Sequence, residues 1–500
     1  MRAGRHKWAM TLAALFLAGC ATEKAKQPVT NAAASMPLWE VSTRSDEARA
    51  HIADGERLSD AGFQLAAHEE FKHAVAADTA SAYAYLRYAE TSFSTSEFAQ
   101  YLARAEGHAA TANATEKLLI VADRKGLEGD VEGAMDLYKQ VVAANPTNPR
   151  GLVLLANVQL NSGKVAEGRA SLQKAIALAP TVGFPSLRLA NSYLFFEPKN
   201  FAEADKYVVA GQKLWPNEPF TYAILGAVRR AQSRLDEAAA AYSRLIELNP
   251  READGYSVRG NAYTFLGQYD KARADYDQAL RVSRPEELPY NAGTKALITA
   301  YAGDWKGSIN ELDQVIQATP GMQTDDPNGP TIQNAAWAMY MALVHSAPDI
   351  AEKEYLKLEA AVRAQSDKAK SEGLTRFTNG KLAYARGLIA AFKGDYPTAQ
   401  KSVGEIIAFR AADKDPTKDR DVHGLRGYLA LLQRKDYATA VTEFKQAEPT
   451  DQAIRYYTAV AMEASGKKTE AKALFQALAN YNFTDGTYAA VRNMAIEKAQ

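Results

Sequence analysis

Residues 219–252 and 253–286 carry one pattern twice, 34 positions apart: Tyr222, Gly226, Ala238 and Tyr242 recur as Tyr256, Gly260, Ala272 and Tyr276. Prolines keep the same rhythm at Pro146, Pro180, Pro216, Pro250 and, slightly late, Pro285. A period of this size means that each unit is one supersecondary element, able to bury its apolar face only against its neighbours. A chain built this way is confined to a stacked array, and the usual estimate of domain number from length does not apply.

The period extends along the chain. Small residues stand at Gly55, Ala89, Ala122, Ala156, Ala190, Gly226, Gly260 and Ala296, and twelve positions further on (fourteen in the case of Ala204) at Ala67, Ala134, Gly168, Ala204, Ala238, Ala272 and Ser308. Four residues after the second row come Phe71, Tyr138, Leu172, Val208, Tyr242, Tyr276 and Leu312. Small residues let two helix axes approach to roughly 8 Å while larger ones fill the space beside them. Proline then ends the second helix, because it cannot continue the hydrogen-bond ladder.

This pattern resembles the tetratricopeptide repeat, a 34-residue pair of antiparallel helices, A then B. The resemblance implies an all-α fold, a right-handed superhelical solenoid, with the rows above at its eighth, twentieth and twenty-fourth positions. The expected organisation is an N-terminal array over 46–320, an irregular loop and divergent helical pair over 321–378, a C-terminal array over 379–483, and a polar-faced capping helix over 484–500. The unit at 82–114 keeps helix A but loses the helix B spacing. Tyr428 stands where a small residue belongs and interrupts its unit.

Ahead of the array the chain opens with a short basic stretch, then an apolar run from Trp8 to Leu17 and Leu17-Ala18-Gly19-Cys20. That is the anatomy of an export signal, and the run is too short to span a bilayer. Leu-Ala-Gly-Cys resembles the lipobox of bacterial lipoproteins, which implies cleavage of 1–19 and acylation (palmitate or a similar chain) of Cys20, the single cysteine among 500 residues. Residues 20–45, polar and small, are then expected to be a lipidated flexible tether, and the protein to sit in the bacterial cell envelope, anchored in the outer membrane and facing the periplasm.

Composition excludes two classes. With 47% apolar and 24% charged residues the chain is not intrinsically disordered, and 59 basic against 59 acidic side chains leave no positive field for nucleic acid. Motifs for chemistry are weak. In His68-Glu69-Glu70-Phe71-Lys72-His73 the histidines are five apart, about 140° around a helix, so the zinc-peptidase spacing fails. Asp325, Asp326, Asn328 and Gly329 lack the acids that complete a calcium loop, and Gly466-Lys467-Lys468-Thr469 lacks the upstream glycine of a phosphate loop. No catalytic residue, metal or cofactor is expected.

The functional candidates lie on helix A, which lines the concave side in the family this chain resembles. Its ninth position reads Glu56, Glu90, Asp123, Asn157, Asn191, Ala227, Asn261 and Leu297, three acids and then asparagines that can both donate to and accept from a peptide. Leu119, Leu160, Leu187 and Leu194 add an apolar strip beside this polar ladder. Together they suit a peptide or amphipathic helix laid in a groove; equally, the asparagines could pair with neighbouring repeats and the leucines be ordinary core. The expected function is a membrane-anchored, non-catalytic scaffold holding protein partners during envelope assembly, secretion or polysaccharide export. The alternatives are an enzyme or substrate-binding protein with its site in 321–380, and a self-assembling array of identical copies.

Overall fold

The computed structural model describes residues 35–500 apart from 94, 323–327, 370–371 and 414–416. The signal peptide, Cys20 and the loop at 325–326 lie outside the described residues. Among the described residues there are 25 α-helices and no strand. They fall into two compact units, one reaching Leu266 and including Ala274–Glu287, the other comprising Gly267–Arg273 and Leu288–Gln500. The division thus falls within the repeat array and not at the 321–378 segment.

The N-terminal unit contains α1 (Asp46–Ala61), α2 (Gln64–Ala77), α3 (Ala82–Glu90), α4 (Thr95–Gly107), α5 (Ala114–Glu128), α6 (Val131–Ala144), α7 (Pro149–Asn161), α8 (Val165–Leu178), α9 (Gly183–Phe195), α10 (Phe201–Leu214), α11 (Pro219–Ala231), α12 (Leu235–Leu248) and α13 (Ala253–Phe265). Helix α14 (Tyr269–Val282) is divided between the units. From α1 to α12 each odd-numbered helix packs most extensively on the even-numbered one after it, and α1 touches α3, α3 touches α5 and α9 touches α11, as helix A does on the inside of a curved array. The turn between partners is tight: after α5, Gly129 takes φ 82° and its N–H reaches back to the Lys125 and Gly126 carbonyls, a left-handed cap that suits glycine.

Volume pairing, a ring against glycine and a branched side chain against alanine, recurs across several helical pairs; Ala122 with Tyr138 is an exception. Phe71, Leu172, Val208, Tyr242 and Leu312 are buried, as are the small residues facing them. A methyl group added at Gly55 would stand 2.6 Å from the Phe71 ring, and one at Gly226 would stand 2.3 Å from the Tyr242 ring. Where the large partner is Leu172, Val208 or Leu312, the facing residue is Ala156, Ala190 or Ala296. The ring takes the space that the missing methyl leaves.

The C-terminal unit holds α15 (Leu288–Tyr301), α16 (Trp305–Ala318), α17 (Asn328–Val344), α18 (Pro348–Ala369), α19 (Glu372–Lys393), α20 (Tyr396–Arg410), α21 (Arg420–Leu429), α22 (Tyr437–Gln446), α23 (Gln452–Ala464), α24 (Lys468–Ala479) and α25 (Gly486–Ala499). Here α18 and α19 are longer than any repeat helix, and the expected boundary at 378 falls inside α19.

Three further expectations need correction. Residues 36–45 are no tether. Met36, Trp39 and Val41 are buried, the Ser42 N–H donates to Glu116 Oε1 at 2.7 Å, and the Thr43 hydroxyl donates to Asp78 at 2.6 Å. These apolar side chains have a core to enter, and any free tether ends before them. Second, the interruption at Tyr428 is a register shift. A π-helical turn over Ala430–Arg434 inserts one residue, so Gly427 takes the close-contact position against Phe444 and Tyr428 turns into an aromatic cluster with Phe392 and Tyr457. Third, α25 is not a polar-faced cap. Tyr488, Ala489, Ala490, Val491 and Ala495 are buried, and the helix packs across the unit on α15 and α17 as well as on its neighbours.

Candidate functional site in the N-terminal unit

The concave side of this unit is largely closed by the chain itself. Helix α1 meets α11, Gly62 lies against the backbone of Phe220, and the Leu65 N–H donates to Glu252 Oε1 at 3.1 Å across 187 residues. What remains between α1, α3 and α7 is a cavity of about 70 Å³ with Trp39 and Phe184 among its lining residues.

Helical spacing builds its polar wall. Glu56 and Asp60 are one turn apart on α1, Arg87 and Glu90 share a face of α3, and Arg150 stands in the first turn of α7. Arg150 spans the gap, donating to Glu56 Oε2 at 2.7 Å and to Asp60 Oδ2 at 2.8 Å. Arg87 Nε lies 2.8 Å from Glu56 Oε1 and also pairs with Glu90, while the Tyr83 hydroxyl donates to Glu56 at 2.6 Å. Burial alone would raise the Glu56 pKa, but the two guanidinium groups and the Tyr83 hydroxyl hold it below its ordinary value. For Asp60 burial wins over Arg150, and its pKa rises to about 6. Burial also raises the Asp123 pKa to about 6 and the Asp254 pKa to about 7.

One geometric rule recurs along the concave side. Arg87, at the sixth position of its repeat, reaches back 31 residues to Glu56 at the ninth position of the repeat before. Arg188 and Asn157 form the same rung, again 31 residues apart. The first pairs a cation with an anion. The second sets a guanidinium on a neutral amide, and no carboxylate joins it among the described residues. Desolvation with no compensating charge lowers the Arg188 pKa to about 10. The next ninth-position residue, Asn191, has its Oδ1 buried and unpaired.

The ten residues singled out from sequence separate into three groups, with Asn191 standing apart from them. Glu56, Glu90, Asn157 and Leu119 come together around the cavity. Asp123 and Asn261 instead accept the hydroxyl of a tyrosine 15 residues on in the same repeat, Tyr138 at 2.7 Å and Tyr276 at 2.8 Å. Leu160, Leu187 and Leu194 are buried between helices, the first two against Gly168 and Gly211. Asn191 stays half-buried beside the Arg188 rung. Sequence reasoning missed Arg87, Arg150 and Arg188. A scan of the sixth position against the preceding ninth would have found Arg87 and Arg188, whereas Arg150 bonds to residues 90 and 94 positions away and leaves no local signal.

The buried carboxyls make a prediction. A carboxyl whose folded pKa exceeds its unfolded value opposes folding when ionised, so the folded chain holds protons that the unfolded chain has released. Asp254 and, in the other unit, Asp451 are both raised by burial to about 7, against 3.8 in a free chain, and burial raises Glu287 as well. Stability should therefore rise by about 1–3 kcal/mol as pH falls from about 8 to about 6.5. Below about 6.5 the rise slows, because His68, lowered to about 3 by burial, and His345, also lowered by burial, must gain protons on unfolding, and it reverses only at about pH 4, where the unfolded carboxyls also take up protons. Urea midpoints measured at constant ionic strength check this, and Asp254→Asn should flatten the rise.

Stacked helical pairs, volume pairing and a polar inner face define a helical-repeat scaffold. Two family models, both described as tetratricopeptide repeat, match the chain, one at residues 127–183 and 431–494 and the other at 253–284. The chain thus carries tetratricopeptide repeats, and such repeats imply a scaffold for protein–protein interaction. It is 31% identical over 223 residues to cellulose synthase operon protein C of Xanthomonas axonopodis pv. citri (strain 306), covering 40% of this chain and 14% of that protein. It is 26% identical over 164 residues to human (Homo sapiens) protein O-mannosyl-transferase TMTC1, covering 32% of this chain and 18% of that one. The chain therefore spans under a fifth of the length of either relative. Among solved structures, a crystal structure of MamA is 26% identical with a TM-score of 0.28, covering 32% of this chain and 93% of that one.

Proposed function

We propose that this chain is a non-catalytic scaffold of the bacterial envelope, anchored through lipid on Cys20, that holds a protein partner at the concave side of its N-terminal unit. The observation that carries the binding part is the Arg188 rung. A desolvated guanidinium facing only Asn157 is a place where a carboxylate from a partner would gain a charge-assisted hydrogen bond, and the unpaired Asn191 carbonyl on the same helix could accept from a partner N–H. The acids nearest it, Glu56, Asp60 and Glu90, are already paired with Arg87 and Arg150. The usable groove is then narrower than the ladder read from sequence, centred on α7 and α9. The lipobox resemblance supports the anchor. The similarity to cellulose synthase operon protein C supports polysaccharide export among the envelope roles.

The test is photo-crosslinking from position 191 in native envelopes, with a second probe at position 356, which is exposed on α18. A dominant protein adduct is expected from 191 and not from 356, and Arg188→Glu should abolish it without changing the far-UV spectrum. Cys20→Ser should move the protein from the membrane to the soluble fraction. An adduct that survives the charge reversal, or arises equally from 356, would put the binding surface elsewhere; membrane retention of Cys20→Ser would remove the lipid anchor.

A further inference from the structure

The structure places three metal-ligating groups together on the first helical pair, away from the concave side. Glu70 and His73 are three apart on α2 and share a face. The α1–α2 packing sets His51 beside them, with its Nδ1 2.7 Å from Glu70 Oε2 and its ring 5.2 Å from that of His73, centroid to centroid. All three donor atoms lie within 4.8 Å of one another. The string that fails as a peptidase motif thus contributes two of its members to a different constellation. His68 takes no part, being buried against Tyr88 and Phe93 with its Nδ1 3.3 Å from the Thr91 hydroxyl.

We propose that His51, Glu70 and His73 form a zinc-binding site that staples α1 to α2. Two imidazoles and one carboxylate are a donor set that zinc favours, and bonds of about 2.0–2.1 Å in a tetrahedron put donors roughly 3.3 Å apart. Reaching that spacing takes only rotation of side chains with room to move: His51 and Glu70 are 28% and 23% exposed, and His73 is exposed. The fourth position faces solvent and would take water or a group from outside the chain. Because both helices contribute ligands, zinc binds the paired state and not the separated one, which ties metal affinity to the stability of the first repeat. That pair supplies Glu56 and Asp60 to the cavity wall.

The experiment is calorimetric titration of the chelator-treated full chain with zinc chloride, alongside thermal unfolding with and without zinc. The expected result is a saturable site that raises the unfolding temperature. His51→Ala and His73→Ala should each weaken it by more than the roughly 10–100-fold that loss of a mere supporting group costs. Glu70→Gln keeps a hydrogen-bonding partner for His51 but removes the anionic ligand, and should also weaken binding. His108→Ala, outside the cluster, should leave affinity unchanged. Absence of a saturable site, or equal affinity in His73→Ala, overturns the proposal. The unfolding curves without zinc show whether each variant is folded before it is titrated.

Discussion

Replacing Tyr488 by alanine is expected to cost the C-terminal unit about 3–5 kcal/mol, the range for emptying a large buried aromatic site. The side chain is fully buried, its hydroxyl donates to the Leu478 carbonyl at 2.7 Å, and its ring packs near those of Tyr301 and Tyr481. Around it the last helix is tied across the unit: the Tyr301 hydroxyl donates to the Asp485 carbonyl at 3.0 Å, and Asn493 donates to the Ala300 carbonyl at 3.3 Å. A closing helix with a polar face would behave otherwise, since surface substitutions usually stay within about 0.5 kcal/mol. The urea midpoint of the far-UV signal decides between these. A loss below about 1 kcal/mol would return α25 to the role of a solvent-facing cap.

Arg150→Met should be as damaging to the N-terminal unit, by about 3–5 kcal/mol, because it strands Glu56 and Asp60 as buried carboxylates. The Arg150 side chain is 7% exposed and holds both acids at once. Arg87 remains beside Glu56 but already serves Glu90. The cost comes from the unpaired charges and not from the lost bonds themselves, so adding Glu56→Gln and Asp60→Asn to Arg150→Met should restore much of the stability. The same set of urea curves reads both effects. If the single variant is nearly neutral, or the triple variant is worse than the single one, the network does not hold α1 to α7.

The helical pairs were legible from the chain alone because their determinants are close in sequence. Gly226 and Tyr242 are 16 residues apart, and a small residue is matched with a bulky one at a near-constant offset in most pairs. The register shift at Tyr428 was visible only as an anomaly. Its cause, one residue inserted by a π turn, is a backbone event that leaves the count from Tyr428 to Ala440 unchanged and therefore leaves no gap in the pattern. The site was legible only in part. Ninth-position acids and amides were found because the repeat places them in register, but two of them, Asp123 and Asn261, bond to a tyrosine of their own repeat. Of the leucines in the expected strip, Leu119 lines the cavity, whereas Leu160 and Leu187 face the neighbouring helix, where glycine makes room for them.

The sequence by itself determined that this chain is an all-helical array of 34-residue units, which residues pack within each pair, and which row of side chains faces inward. Those are contacts between residues a few turns apart, and a periodic pattern encodes them locally. Only the tertiary structure decided what fills the inside. In the N-terminal unit it is residues 36–45 and α1, held by Arg150 and by the Leu65–Glu252 bond; in the C-terminal unit it is α25, returning to α15 over 184 residues. Whether a curved stack closes on its own ends depends on small rotations from one repeat to the next, added over each unit. No single pair of positions carries that sum, so it emerges only when the helices are stacked.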